Sequence, residues 1–108
     1  MPTGAGSQGT VVVPFSATPV FDALQGNPFE ITLTGNVTSS TFINGVSGQS
    51  YTFIIRQDAI GSRTFVWPAI FRGALTISLG ALANTASIQT IIFDGVSAYA
   101  HGIGIANL

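Results

Sequence analysis

Apolar and polar residues alternate with a period of two along much of this chain. In Phe29-Glu30-Ile31-Thr32-Leu33-Thr34, the residues Phe29, Ile31 and Leu33 share one side of an extended backbone. Successive side chains of a strand point to opposite faces, so this alternation predicts a half-buried strand. Tyr51-Thr52-Phe53-Ile54-Ile55-Arg56-Gln57 repeats it, with Tyr51, Phe53 and Ile55 on one face. The same reading predicts strands over residues 10–13, 37–43, 64–67, 75–79, 87–93 and 98–105. Residues 20–25 read as a strand or a turn of helix, and their β-branched and aromatic side chains favour strand. Only residues 81–86 lean helical, and they are too short for more than one turn.

Turn chemistry falls between these segments. Gly35-Asn36 and Asn44-Gly45-Val46-Ser47-Gly48 supply residues that tolerate positive φ. Residues 58–62 read as a hairpin loop, Asp94-Gly95 is a strong turn signal, and Pro14 and Pro68 end strands. About eight short strands at regular spacing predict an all-β fold. The expected form is a single-domain antiparallel β-sandwich, jelly-roll-like, over residues 10–108. An immunoglobulin-like sandwich has the same strand statistics. Residues 1–9 (Gly4, Ala5, Gly6, Ser7 and Gly9 among them) lack core-forming side chains and are expected to be an extended N-terminal arm.

Composition changes the picture in one respect. The hydrophobic share, 46%, is ordinary, but only 6% of the 108 residues are charged, against about 25% in typical soluble domains. The charged residues are Asp22, Glu30, Asp58, Asp94, Arg56, Arg63 and Arg72, giving a net charge of -1. Low net charge favours association, so the neutral Ser/Thr-rich exterior is expected to lie against other subunits. Three dispersed arginines make no phosphate-binding patch, so nucleic acid is not expected as a partner. No basic amphipathic helix is present, and apolar runs of four or five residues are far short of the ~20 that span a bilayer, so no membrane is expected either. The start lacks a basic, apolar leader, which predicts synthesis in the cytoplasm without a signal peptide. With no cysteine there are no disulfides and no thiolate metal sites.

Candidate chemistry is sparse. His101 is the only histidine, and a catalytic imidazole needs a partner that sets its tautomer. Asp58 and Asp94 precede turns and are expected to cap them through Asx hydrogen bonds, as are Asp22 and Glu30 near Gly26-Asn27-Pro28. Asp58 and Arg63 flank one loop and are expected to pair across it. Trp67, before Pro68, could be a sugar-stacking platform, but a core-edge aromatic that ends a strand is the simpler reading. Asn36-Val37-Thr38 matches a glycosylation sequon, a match that is common by chance. No Gly-x-Ser-x-Gly elbow and no phosphate-binding Gly-rich loop with lysine occurs. No catalytic site, cofactor, metal or small-molecule substrate is expected.

Four strings carry a resemblance: Phe21-Asp22-Ala23-Leu24-Gln25-Gly26-Asn27, residues 31–40, residues 57–68 from Gln57-Asp58-Ala59-Ile60 to Val66-Trp67-Pro68, and Phe93-Asp94-Gly95. From about residue 18 to residue 100 the chain resembles a β-rich module of tailed-bacteriophage virion proteins, the third string being its most specific part. The module recurs in tail-fibre or tail-tip proteins and in small stand-alone head proteins. Tail-fibre versions usually sit inside longer chains, whereas this one is expected to be complete at 108 residues. The resemblance therefore implies a capsid cement, or decoration, protein on the phage head, a homotrimer bound to a major capsid protein. Its alternative is a tail-fibre or tail-tip protein that attaches to a host glycan or receptor, with Trp67 and Phe71 as the candidate exposed aromatics. Val11, Val12, Val13, Pro14 and Phe15 are the expected subunit contacts, adding a strand to a neighbour's sheet edge.

Overall fold

The longest alternating stretches make the longest strands and the centre of the fold. The computed structural model describes residues 10–78 and 80–108. Its strands are β1 (Val11–Val12), β2 (Val20–Asp22), β3 (Phe29–Leu33), β4 (Thr41–Ile43), β5 (Ser50–Gln57), β6 (Phe71–Arg72), β7 (Ala86–Phe93) and β8 (Ala98–Ala100), with a 3₁₀ turn at Ala23–Gln25. They form a six-stranded sheet in the order β1-β3-β5-β7-β8-β6 and a two-stranded sheet of β2 and β4. The Gly-rich arm expected over residues 1–9 lies outside the described residues.

The all-β class holds, but the antiparallel jelly roll does not. β1 pairs parallel with β3, β3 with β5, and β2 with β4. The chain passes from the large sheet to the small one and back, from β1 through β5, as a short solenoid-like coil. Equivalent residues stack in register, Val11 beside Phe29 and Phe29 beside Phe53 in one sheet, Phe21 beside Phe42 in the other. Between the named strands, antiparallel pairing appears where β5 meets β7 and β7 meets β8. The turns at Gly35-Asn36 and residues 44–48 are real, but they carry the chain between strands of different sheets instead of closing hairpins.

Inward residues of both sheets meet in an aromatic core. Phe29, Ile31, Leu33, Tyr51, Phe53, Ile55 and Ile91 are buried from the large sheet, and Phe21 and Phe42 from the small one. Phe53 lies at the middle. Its ring centroid is 5.1 Å from Phe21, 5.2 Å from Phe29, 5.3 Å from Phe71 and 5.7 Å from Trp67. Most of these contacts are edge-to-face, which sets the negative ring face against a positive edge.

Several expected strands are shorter because their backbone groups bond to side chains or to distant loops. Residues 20–25 divide after Asp22, whose carboxylate accepts from Leu24 N–H at 3.0 Å and starts the 3₁₀ turn. Within 37–43 only Thr41–Ile43 is strand, since Val37 N–H goes to Thr64 O (2.9 Å) and Thr38 N–H to Ala17 O (2.8 Å). Residues 64–67 and 75–79 meet through a single bridge, Phe65 with Ile77; Leu79 is not among the described residues. There Thr64 N–H donates to Asn36 Oδ1 and Leu75 N–H to Gln89 Oε1, each at 3.0 Å. Residues 81–86 form no helix: Asn84 has φ 59° and donates its N–H to Asp58 O. Within 98–105 the chain leaves β8 at Ala100, and only Ile105 rejoins, beside Ile88.

The loop after β5 is closed by a side chain, not by a returning strand. Gln57, buried, accepts from Arg63 N–H and donates to Arg63 O, both at 2.9 Å, as a neighbouring strand would. Asp58 completes it, accepting from Ile60 N–H (3.1 Å) and Gly61 N–H (3.0 Å) and pairing with Arg63 Nη2 at 2.9 Å. Asp94 likewise takes the N–H groups of Val96 (2.8 Å) and Ser97 (2.7 Å). Glu30 departs from the expected turn cap. It lies within β3 and pairs with Arg56 on β5.

Removing the central ring empties the space on which both sheets rest. Phe53→Ala is expected to cost about 3–5 kcal/mol in urea unfolding, a large share of a small domain's stability. Gly61 has φ +76°, and a Cβ there would stand 2.7 Å from Ala83 N. Gly61→Ala is expected to cost at least about 1–2 kcal/mol by the same measurement.

Three carboxylates lie below their ordinary value of 3.8: Asp22 through Asn44 and Leu24 N–H, Asp58 through Arg63 and its turn N–H groups, Asp94 through the N–H groups of Ser97 and Val96. A depressed folded pKa contributes stability above the unfolded value, and this is lost as pH falls through the folded one. Thermal melts should therefore be flat above about pH 5 and drop below about pH 4.

Candidate functional site

The ionised side chains are mostly engaged in building the fold. Asp22, Asp58 and Asp94 hold turns, and Glu30 and Arg63 are in ion pairs. His101 is exposed, with its backbone N–H donated to Thr90 O. Arg72 is exposed on β6, at one edge of the large sheet. Among the described residues no group of three His, Cys, Asp or Glu side chains comes together. Trp67 is half-buried, 4.8 Å from Phe65 and stacked on Phe71 at 5.8 Å, and its Nε1–H donates to Leu75 O at 2.7 Å. That geometry places the indole at the core edge.

Val11 to Phe15 lie along the chain's own sheet. Val11 and Val13 donate their N–H groups to Pro28 O and Glu30 O, each at 2.8 Å, and Val13 is buried. Val12, Pro14 and Phe15 are exposed, with the Phe15 ring resting against Gly35. This makes β1 the outer strand of the six, and an edge strand offers backbone groups to another chain.

Two features escaped the sequence reading. The first is the recurrence of the expected Asx turns as one motif: Asp22-Ala23-Leu24, Asp58-Ala59-Ile60 and Asp94-Gly95-Val96 stand at even spacing along the chain. In each, the aspartate accepts from the N–H two residues on, and that residue is an aliphatic held outward: Leu24 is 78% exposed, Ile60 74% and Val96 76%. Residues 44–48 link two of these turns. Asn44 Nδ2 donates to Asp22 at 3.0 Å, Ser47 Oγ donates to Asp94 O at 3.1 Å, and Val46 between them is exposed. One end of the molecule thus presents aliphatic tips on hydrogen-bonded turns. The pattern Asp–small–aliphatic was the available signal.

The second feature is a pair of concavities. One, of about 240 Å³, is lined by Ser40, Thr41, Phe42, Pro68, Ala69 and Ile70. The other, of about 200 Å³, lies where β7 begins, between the segment around Ile77 and the C-terminal segment at Ala106 and Asn107. Ser87 lines it and is buried. Nothing in a lone serine amid Ala86-Ser87-Ile88 marks it from sequence.

Comparison with known proteins adds one family. Residues 17–98 match the family described as "Putative phage tail fibre C-terminal domain". No curated protein and no solved structure matches the chain. The matched span runs from the segment before β2 to the first residue of β8, well over half of the 108 residues. A tail-fibre family lends no support to the capsid-cement reading or to a place on the phage head. The chain belongs to this phage tail-fibre C-terminal domain family and is a structural module of a bacteriophage virion.

Proposed function

We propose that this chain is a tail-fibre domain that attaches the virion to its host, binding a surface glycan or receptor, and that it works in several copies packed against one another. The observation that carries this reading is the family match across both sheets. The surface supports it. Large aliphatics are exposed at turns and sheet edges, and the protein carries few charges that would keep copies apart. Val12, Pro14 and Phe15 on the β1 edge are the contacts proposed between copies. No step of this role calls for catalysis, a cofactor, nucleic acid or a membrane.

Gold-labelled antibody against the chain, applied to purified virions, should mark tail fibres or the tail tip. Fluorescent chain should also stain susceptible cells, and staining should fall when cell-surface glycans are oxidised with periodate. Label confined to the head, with no staining of any susceptible strain, would overturn the reading.

A further inference from the structure

The concavity beside Ser87 has an unusual floor. Ser87 is 6% exposed, and its hydroxyl has no hydrogen-bond partner among the described residues. It faces inward from β7, opposite Ile55 of β5. A buried hydroxyl normally finds a partner, and one left without calls for a water or a ligand.

The walls narrow the chemistry of that ligand. Thr76, Ser78 and Asn107 supply hydroxyls and an amide, and Ile77, Gly80, Ala81 and Ala106 line the remainder. Among the described residues no ionised side chain lines the space. The rim is held in place: Asn107, at φ 58°, accepts from Leu82 N–H at 3.2 Å, and Ile105 N–H and Leu108 N–H are tied to β7 at 3.0 and 2.9 Å. Asn107 Oδ1 is thereby engaged, which leaves its Nδ2 donors for the concavity.

Size narrows it further. A water's share of liquid volume is about 30 Å³, so a space of about 200 Å³ exceeds what one bridging water needs. Pockets for drug-sized molecules run from about 300 Å³ upward, so this one takes a smaller body. A single neutral, hydroxyl-bearing six-membered ring, one hexose unit, is the class that matches a polar, uncharged space below that range.

We infer that this concavity is a saccharide subsite, taking one neutral hexose unit of a host glycan, with Ser87 Oγ at its floor and Thr76 Oγ1 and Asn107 Nδ2 on its walls. The inference rests on the attachment reading above and names its site. Among the described residues no aromatic ring lines the space, so stacking adds nothing and a single site binds weakly. Several copies in one fibre would supply avidity.

The test is amide-shift mapping of the ¹⁵N-labelled full chain with glucose, galactose, mannose, rhamnose and N-acetylglucosamine. At least one sugar should shift the amides of Gly80, Ala81, Ser87 and Asn107 saturably. Ser87→Ala and Thr76→Val should each weaken that binding by about two- to tenfold, the worth of one hydrogen bond. Ser87→Ala should hold or raise the melting temperature, because the hydroxyl it removes is unpaired in the free protein. A purely structural serine would instead lower it. No saturable shift at these amides, or unchanged binding in Ser87→Ala, overturns the subsite. Sugar binding that maps elsewhere on the chain overturns it too, yet leaves the attachment reading standing. Label found only on the head removes that reading independently.

Discussion

Edge-to-face packing around Phe53 is the contact on which the two sheets depend. The small sheet has two strands of three residues each, too little ladder to stand alone in water. It is held because Phe21 and Phe42 reach into the rings of Phe29 and Phe53. From the other side Trp67 and Phe71 stack on each other and close over Phe53. The segment between β5 and β7, which has little regular structure, is thereby fastened to the same core. Aromatic pairs add about 0.5–1.5 kcal/mol each beyond their buried area, so a cluster of them can outweigh ladders this short.

Beside the aspartates that hold the turns, neutral amides satisfy backbone groups that no strand neighbour reaches. Gln57 spans Arg63, and Gln89, almost fully buried, accepts from Leu75 N–H and donates to Thr90 O. Asn27 bridges to β5, donating to Ser50 O and accepting from Thr52 N–H. Each amide offers a donor and an acceptor in the geometry of a peptide group, so it can replace a missing strand neighbour. A buried amide also avoids the desolvation cost that a buried charge incurs. The lack of charge that marks the composition is thus repeated inside the molecule.

The faces of the strands were legible in sequence, and their partners were not. Alternation in Phe29–Leu33 and Ser50–Gln57 gave the buried side correctly, because a period of two reports which side chains meet the core. It carries nothing about whether the next strand runs parallel, so the coil from β1 to β5 looks in sequence like part of an antiparallel, jelly-roll-like sandwich. The Asx turns of Asp22, Asp58 and Asp94 followed from local chemistry and were legible. Glu30 was not, since its partner Arg56 lies on a strand that becomes its neighbour only through the parallel pairing. Residues 64–67 fit a ladder by sequence, but Asn36 takes Thr64 N–H, Val37 N–H takes Thr64 O and Ser40 Oγ takes Val66 O, all from far along the chain. The Ser87 concavity was invisible for a related reason. It forms only when the C-terminal segment folds back beside Ile88, a contact no local pattern announces.

A surface built this way also limits how the domain can recognise anything. At a net charge of -1, with Arg56 and Arg63 already paired, there is little field to steer a partner inward. Encounter is then governed by diffusion and orientation, with rates near the neutral range of about 10⁵–10⁶ M⁻¹s⁻¹ and little dependence on salt. Specificity has to come from shape and hydrogen bonds at short range. Hydroxyls and amides on a rigid frame give modest affinity at each contact, and repetition raises it. A fibre that presents several such domains at once turns each later contact into an intramolecular event, for which weak, uncharged sites suffice.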